Sequence, residues 1–337
     1  EWTNRVLFFD QYTRTESYFA NSELAADGLP MGEERDLLER HRGQVPERVF
    51  GAEYRAPMTD GSGWPRKNLE TALELLGQAG WHVRDMVLVN DAGEPMRFEI
   101  LLVSQAFERV VLPFVRNLRR LGIDVGVRLV DESQYINRMR DFDFDMVVVV
   151  WPQSESPGNE QQTFWGSEAA DTPGSRNYAG IRDPAVDALI EAVVSAPDRP
   201  SLVARTKALD RVLLWGFYVI PNWYSGVDRF VYWNTFSRPS ETPRRGTSLA
   251  FWWFDPEKAA RLQARLTTAD AAELIEQTGD SGDSDDAAGG SGGSRPGAIM
   301  IAAIVGGLAA IGYLALRRAL QPRTGTGSGS GTGRPRR

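Results

Sequence analysis

The stretch DFDFDMVVVVWPQSESPGNEQQTFWGSEAADTPGSRNYAGIRDPAVD, from Asp141 to Asp187, decides the fold. Met146 to Val150 are five apolar residues in a row, four of them β-branched, which predicts a strand covered on both faces. Pro152 stops this strand, and a long polar loop follows. Open α/β sheets place their ligand crevice at the carboxyl ends of the strands. The loop is therefore predicted to form a ligand-binding rim.

The residues before this segment predict a strand, a helix and a second strand. Phe98 to Val103 has the pattern of a strand, and Gln105 to Leu121 has apolar residues at helical spacing, weakened only by Pro113. Ile123 to Val130 alternates as the second strand. Such a unit implies a parallel pair with a right-handed crossover. Asn68 to Gly80 predicts a further amphipathic helix that ends at its glycine.

Two helices are predicted after the loop. Asp183 can cap the first turn of a helix, and Pro184 fits the first helical position. A second helix follows Pro200. Together with the strands, these helices predict an α/β fold.

The loop itself combines aromatic faces with amides and carboxylates, which suits a wall that covers and orients a ligand. Its predicted ligand-binding residues are Trp151, Gln153, Glu155, Asn159, Glu160 and Trp165. The alternative is that both tryptophans pack in the core and the polar residues are only solvated.

Arg176 and Asn177 precede the next turn and are predicted to meet a ligand carboxylate. For Arg176, a surface ion pair with Asp171 is the alternative. The aromatic cluster from Trp215 to Tyr224 is interpreted as core and hinge packing rather than as a ligand cage.

The composition argues against several classes of function. The 337 residues carry a net charge of −7 and no cysteine, so nucleic-acid binding and thiolate chemistry are not expected. His41 and His82 stand far apart, and no nucleophile elbow, phosphate loop or paired-histidine motif occurs. Glu155 and Glu160 could form a carboxylate pair, but two acids in one loop are common in an acidic protein. We therefore expect no enzymatic activity, metal or cofactor.

The C-terminal quarter of the chain has a different composition. Residues 267–297 are rich in acidic residues, Gly, Ser and Ala, which predicts a flexible linker. The run GDSGDSDD within this segment is a weak candidate for a calcium-binding loop. Ala298 to Leu316 is an uncharged apolar run and predicts a transmembrane helix, with a buried core helix as the alternative. Residues 317–337 begin with two arginines and predict a cytoplasmic tail, with the globular part outside.

Four blocks of sequence resemble one family in the same order: FFDQYTRTESYFANSELAADGLP from Phe8, WPQSESPGNEQQTFWGS from Trp151, NYAGIRDPAVDALI from Asn177 and ALDRVLLWGFYVIPNWY from Ala208. The family is the extracellular solute-binding proteins of peptide-type ABC importers, and the resemblance is greatest to its oligopeptide and microcin-type subunits. The resemblance implies a two-lobe, periplasmic-binding-protein-like (type II) α/β fold whose lobes close on a ligand about a hinge.

The resemblance also implies how the chain is divided. Residues 1–66 and 226–266 are expected in the first lobe, and residues 67–225 in the second. Because the first residues resemble the middle of a domain, the chain is expected to be the C-terminal part of a longer precursor, with its first lobe incomplete. Tyr12, Arg14 and Ser17 fall in a block that resembles the inter-lobe region of the family and are further predicted ligand-binding residues.

The implied function is capture of an oligopeptide or peptide-like solute outside the cytoplasmic membrane and its delivery to an ABC permease. Family members receive the amino terminus of the peptide on an acidic side chain in the loop that corresponds to SESPGNE, which points to Glu155 or Glu160. The family is usually anchored at its other end. A C-terminal span therefore leaves a second hypothesis open, a membrane-anchored solute sensor or interaction protein with the same fold.

Overall fold

The computed structural model describes residues 1–227, 229–241 and 248–266. The helices are α1 (Trp2–Leu7), α2 (Gly32–Glu39), α3 (Arg48–Gly51), α4 (Arg66–Gln78), α5 (Glu108–Arg120), α6 (Glu132–Arg140), α7 (Glu160–Trp165), α8 (Pro184–Val194), α9 (Arg199–Trp215) and α10 (Pro256–Leu266). The strands are β1 (Thr13–Arg14), β2 (His82–Arg84), β3 (Val87–Val89), β4 (Arg97–Leu102), β5 (Asp124–Leu129), β6 (Met146–Val147), β7 (Trp223–Tyr224), β8 (Phe236–Ser237) and β9 (Trp253–Phe254). Short 3₁₀ turns cover Gln105–Phe107, Ser167–Asp171 and Leu249–Phe251.

A parallel three-stranded sheet with the order β5-β4-β6 confirms the predicted strand, helix and strand unit. The central strand β4 places Ile100 opposite Val127 of β5 and opposite Met146 of β6. Helix α5 packs against β5 and completes the crossover. The buried residues of this layer form the sheet core: Leu88, Ile100, Leu102, Val111, Val115, Leu121, Ile123 and Val125.

The predicted strand from Met146 to Val150 is shorter than expected and is not covered on both faces. Only Met146–Val147 is a strand, and within the described residues it pairs with β4 alone. Its side chains are half-buried, and Val150 is 73% exposed. The prediction was wrong because β6 ends at Val147, so the valines that follow are no longer held in the sheet layer, where both faces of a strand can be covered. Beyond the strand, side chains rather than a neighbouring strand donate to the backbone carbonyls. Tyr135 Oη donates to Val148 O (2.8 Å), and Arg176 Nη2 donates to Val150 O (2.7 Å).

A second core is built from helices. Helices α8 and α9 pack against each other, and α2 and α3 pack against α9. The predicted caps are present: Asp183 accepts from Ala185 N, and Asp198 accepts from Ser201 N. The buried residues of this helical core include Leu37, Leu38, Val49, Phe50, Phe164, Trp165, Val186, Leu189, Ile190, Leu209, Val212 and Leu213.

The helical core does not follow the predicted lobe boundary at residue 66. It unites α2 and α3, from the segment assigned to the first lobe, with α8 and α9, from the segment assigned to the second. Helix α4 packs on the sheet core through Leu69 and Leu76. The lobe boundaries stay a prediction for the full-length protein.

The predicted linker at 267–297, membrane span at Ala298 to Leu316 and tail at 317–337 lie outside the described residues. Among the residues that are described, no helix has the length and apolar character needed to cross a bilayer.

Candidate functional site

Two loops face each other across a cavity of about 660 Å³. One wall is the loop Phe19 to Glu23, which we call the N-terminal wall, and the other is Gln153 to Glu155, which we call the strand-end wall. Arg199, the first residue of α9, completes the lining. The structure thus places two of the predicted ligand-binding residues, Gln153 and Glu155, in one cavity.

The base of the strand-end wall rests on a pair of tryptophans. The ring of half-buried Trp151 lies 4.9 Å from the ring of Trp165, and its Nε1 donates to Arg176 O (3.0 Å). Trp165 is completely buried and belongs to the helical core. The two rings therefore fix where the loop leaves the sheet.

A hydrogen-bonded relay orients the amide of Gln153. Trp165 Nε1 donates to Gln161 Oε1 (2.9 Å), and Gln161 Nε2 donates to Gln153 Oε1 (2.7 Å). Because an indole nitrogen can only donate, this relay fixes the orientation of both amides. Gln153 Nε2 is buried and has no hydrogen-bond partner among the described residues. Buried polar groups usually have a hydrogen-bond partner, so the wall lacks an acceptor for this N–H group.

The carboxylates of the loop differ in their surroundings. Within the described part of the chain, the half-buried Glu155 carboxylate has neither a hydrogen bond nor an ion pair, and it lines the cavity. Glu160 instead accepts from Gly158 N (2.9 Å) and from Gln161 Nε2 (3.3 Å), so it closes the loop on itself. Asn159 is exposed. Of the two acids in the loop, Glu155 is the one placed to meet a cation.

The N-terminal wall is held at its base by Asp210 of α9. This carboxylate accepts from Ser17 Oγ (2.7 Å), Tyr18 N (2.8 Å) and Ala26 N (2.8 Å). Asp210 is fully buried, and burial raises its pKa to about 6 although the three hydrogen bonds and Arg211 act to lower it. One side chain therefore fixes both ends of the loop.

Three predicted ligand-binding residues lie in the interior instead. Ser17 is engaged with Asp210, and Trp165 packs in the helical core. Asn177 is 1% exposed; its amide donates to Gly166 O (3.0 Å) and Ile181 O (2.9 Å) and accepts from Ile181 N (2.9 Å). These side chains support the walls and have no surface free for a ligand. Polar residue type alone does not distinguish such a structural role from ligand contact.

The remaining predicted residues are more peripheral. Arg176 donates to Val150 O and lies over the Phe164 ring at 4.8 Å, while Arg182 takes the predicted ion pair with Asp171. Arg14 donates to Glu1 Oε1 (3.0 Å) and to Pro57 O (2.7 Å). None of the described contacts joins Arg14 or Tyr12 to the strand-end wall.

Tyr12 instead belongs to an aromatic cluster at the short β1-β7 pair. Its ring lies 5.0 Å from Phe8 and 6.2 Å from Trp223. Trp223 also stacks on Phe107 of the sheet layer, with ring centroids 5.9 Å apart and planes 14° apart. This packing agrees with the interpretation of Trp223 as a packing residue.

Sequence reasoning missed three polar residues that hold the walls, Arg199, Gln161 and Asp210. It also missed a buried ion pair outside the walls, Arg211 and Glu34. Arg211 Nε lies 2.8 Å from Glu34 Oε1, and both side chains are buried. A signal was present, since Asp210 and Arg211 interrupt the otherwise apolar ALDRVLLW. Charges at core positions of a helix indicate buried partners. The described residues contain no group of three or more side chains that could hold a metal ion.

A family model identifies the class of protein to which this fold belongs. Residues 1–172 match the family model of bacterial extracellular solute-binding proteins, family 5 Middle. The chain belongs to this family, which confirms the resemblance seen in the sequence.

Relatives support the same assignment. The chain is 49% identical over 265 residues to the uncharacterized protein y4wM of Sinorhizobium fredii, a match that covers 78% of this chain and 40% of that protein. It is 47% identical to the probable peptide-binding protein YejA of Agrobacterium fabrum (75% and 42% covered) and 37% identical to the peptidoglycan-binding protein YepA of the same organism (75% and 41%). The chain thus spans about two fifths of the length of these relatives.

A solved structure shows the fold. The oligopeptide-binding protein AppA from Bacillus subtilis, in complex with a nonapeptide, superposes with a TM-score of 0.52 at 16% identity, over 75% of this chain and 44% of AppA. The chain therefore has the α/β fold of part of a periplasmic oligopeptide-binding protein.

Proposed function

We propose that the full-length protein captures oligopeptides or peptide-like solutes outside the cytoplasmic membrane and delivers them to an ABC permease. The observation that carries the proposal is the cavity between the two walls, with Glu155 unpaired on its lining. A carboxylate in such a place is complementary to the amino terminus of a peptide.

The relatives support the substrate class. One relative is named as a probable peptide-binding protein and another as a peptidoglycan-binding protein. The ligands in these two names have a short peptide in common, which is free in one case and attached to a sugar in the other. We therefore propose a peptide-like ligand with a free amine, bound by a protein that lies outside the cytoplasm.

Titration of the full-length protein with a randomised nonapeptide mixture tests this proposal. Calorimetry should detect saturable binding, and N-acetylation of the mixture should weaken it because the cation facing Glu155 is lost. Equal binding of free and acetylated peptides would contradict the proposed role of Glu155. No binding of any peptide would favour the anchored sensor.

We further propose that Ala298 to Leu316 anchors the protein to the membrane. The support is the sequence alone: a run of apolar residues long enough for a bilayer, followed by Arg317 and Arg318. Deletion of the run from the full-length protein should move it from the membrane fraction to the soluble extract. A deleted protein that stays with the membranes would show that something else anchors it.

A further inference from the structure

Arg199 occupies a position in α9 where a cation does not help the helix. It is the first helical residue, between the capping residue Asp198 and Pro200. The amino-terminal end of a helix carries a partial positive charge, so a cation there is slightly unfavourable. The cap is already supplied by Asp198, which accepts from Ser201 N (2.9 Å). Helix stability therefore does not explain an arginine at this position.

The guanidinium of Arg199 bonds to both walls of the cavity. Nε donates to Glu23 Oε1 (2.9 Å) on the N-terminal wall. Nη1 donates to the backbone carbonyl of Glu155 on the strand-end wall. Glu23 and Glu155 are distant in sequence, and one side chain on a third element connects them. The planar fork of an arginine presents donors in several fixed directions, which a lysine does not.

Each wall is already ordered at a point away from Arg199. The N-terminal wall is fixed at its base by Asp210 and by the buried side chains of Phe19 and Leu24. The strand-end wall is fixed through Gln161, which bonds to Gln153. Arg199 bonds to the cavity-lining part of each wall. Its contacts therefore set how far apart the two walls stand.

We propose that Arg199 is a positioning residue that clamps the two walls of the cavity and holds the main chain at Glu155 in place. The part of this proposal that concerns ligand affinity rests on the proposed function; the clamp itself rests on the contacts alone. The Arg199 and Glu23 side chains are 39% and 55% exposed, and ion pairs this exposed contribute little to stability. Loss of the clamp should therefore alter the loops more than the stability of the fold.

Hydrogen exchange of the full-length protein tests the clamp without any ligand. The informative amides are those of Phe19, Leu24 and Ser156, which are hydrogen-bonded within or beside the two walls. In Arg199→Ala these amides should exchange about tenfold faster, because local opening becomes easier. Arg199→Lys should restore protection in one wall only. The matched control is Arg205→Ala: Arg205 lies on the same helix and bonds to Glu33 Oε1 (2.7 Å) and Ala192 O (2.9 Å), outside the cavity lining. The control should leave both loops protected.

Calorimetry of the same variants with the randomised nonapeptide mixture tests the consequence for binding. Arg199→Ala should bind about tenfold more weakly than the wild type, and Arg205→Ala should bind equally well. Unchanged exchange in both loops of Arg199→Ala would overturn the clamp, whatever the peptide result. Faster exchange with unchanged affinity would overturn its role in positioning the ligand site. Faster exchange in a protein whose wild type binds no peptide would support the clamp and contradict the proposed function.

Discussion

Ser17 and Asp210 lie 193 positions apart in the chain and are joined by a hydrogen bond of 2.7 Å from Ser17 Oγ to Asp210 Oδ2. The same carboxylate accepts from the amides of Tyr18 and Ala26. A loop that lines the cavity is thus fixed to α9 by a single buried acid. The stability of the fold and the shape of the site depend on the same contact.

Replacing this acid should destabilise the protein. In Asp210→Asn, the amide group faces a backbone donor, so at least one of the N–H groups of Tyr18 and Ala26 loses its acceptor. A buried unsatisfied donor costs about 1–3 kcal/mol in the free energy of unfolding, measurable by urea denaturation. The control is Asp198→Asn, since asparagine caps a helix about as well as aspartate. Equal stability of the two variants would show that Asp210 does not hold the loop.

The stability should also depend on pH through Asp210. Burial raises its folded-state pKa from the ordinary value of 3.8 to about 6, so between these values the folded protein holds a proton that the unfolded chain releases. The contribution of Asp210 is therefore present in full below about pH 4 and is lost as the pH rises through about 6, at most about 3 kcal/mol.

The measurement is the difference in unfolding free energy between the wild type and Asp210→Asn at several pH values. This difference should be larger at acidic pH than at neutral pH. Tyr18 and Tyr54, the titratable neighbours of Asp210, have raised pKa values themselves and stay neutral in this range. A difference that stays constant with pH would contradict the raised pKa.

The buried pair of Arg211 and Glu34 should show strong coupling. Arg211→Met leaves the Glu34 carboxylate buried without its partner, which typically costs about 3–5 kcal/mol. Glu34→Met combined with Arg211→Met removes both charges and should recover part of this loss. Recovery stays incomplete because Arg211 also donates to the carbonyls of Asp27 and Gly28. Additive effects in a double-mutant cycle would show that the pair does not act as a unit.

The supersecondary structure could be read from the sequence, but the extent of burial could not. Apolar spacing and capping residues predicted α4, α5, α8 and α9 and the parallel pair β4-β5, because these signals are local. The valine run after Asp145 was misjudged, since where a strand ends depends on its neighbours in the sheet.

The residues that line the cavity were anticipated only in part, for a similar reason. Gln153 and Glu155 line it, and their place in the loop after β6 was the signal. Ser17 and Asn177 carry the same kinds of polar groups but use them on Asp210 and on the Gly166 and Ile181 carbonyls. Contacts made between residues far apart in the chain decide which polar residues face a ligand. Arg199 could not be found for that reason.

Removing the charge of Glu155 should weaken ligand binding without loss of stability. Its carboxylate has no partner among the described residues, so Glu155→Gln leaves no group unsatisfied. In the full-length protein, affinity for nonapeptides with a free amino terminus should fall about tenfold, the cost of losing a charge-assisted hydrogen bond. N-acetylated peptides should be unaffected. The control is Glu168→Gln, an exposed acid outside the cavity lining; a similar loss there would indicate a general effect of charge.

Native mass spectrometry of the full-length ectodomain, purified from its own host and ending before Ala298, tests the central proposal most directly. We predict a bound species whose mass and fragmentation identify a peptide or a peptide-bearing sugar, released when the protein is unfolded. A protein that is empty after purification, and whose melting temperature no peptide raises, would contradict capture of peptides for import.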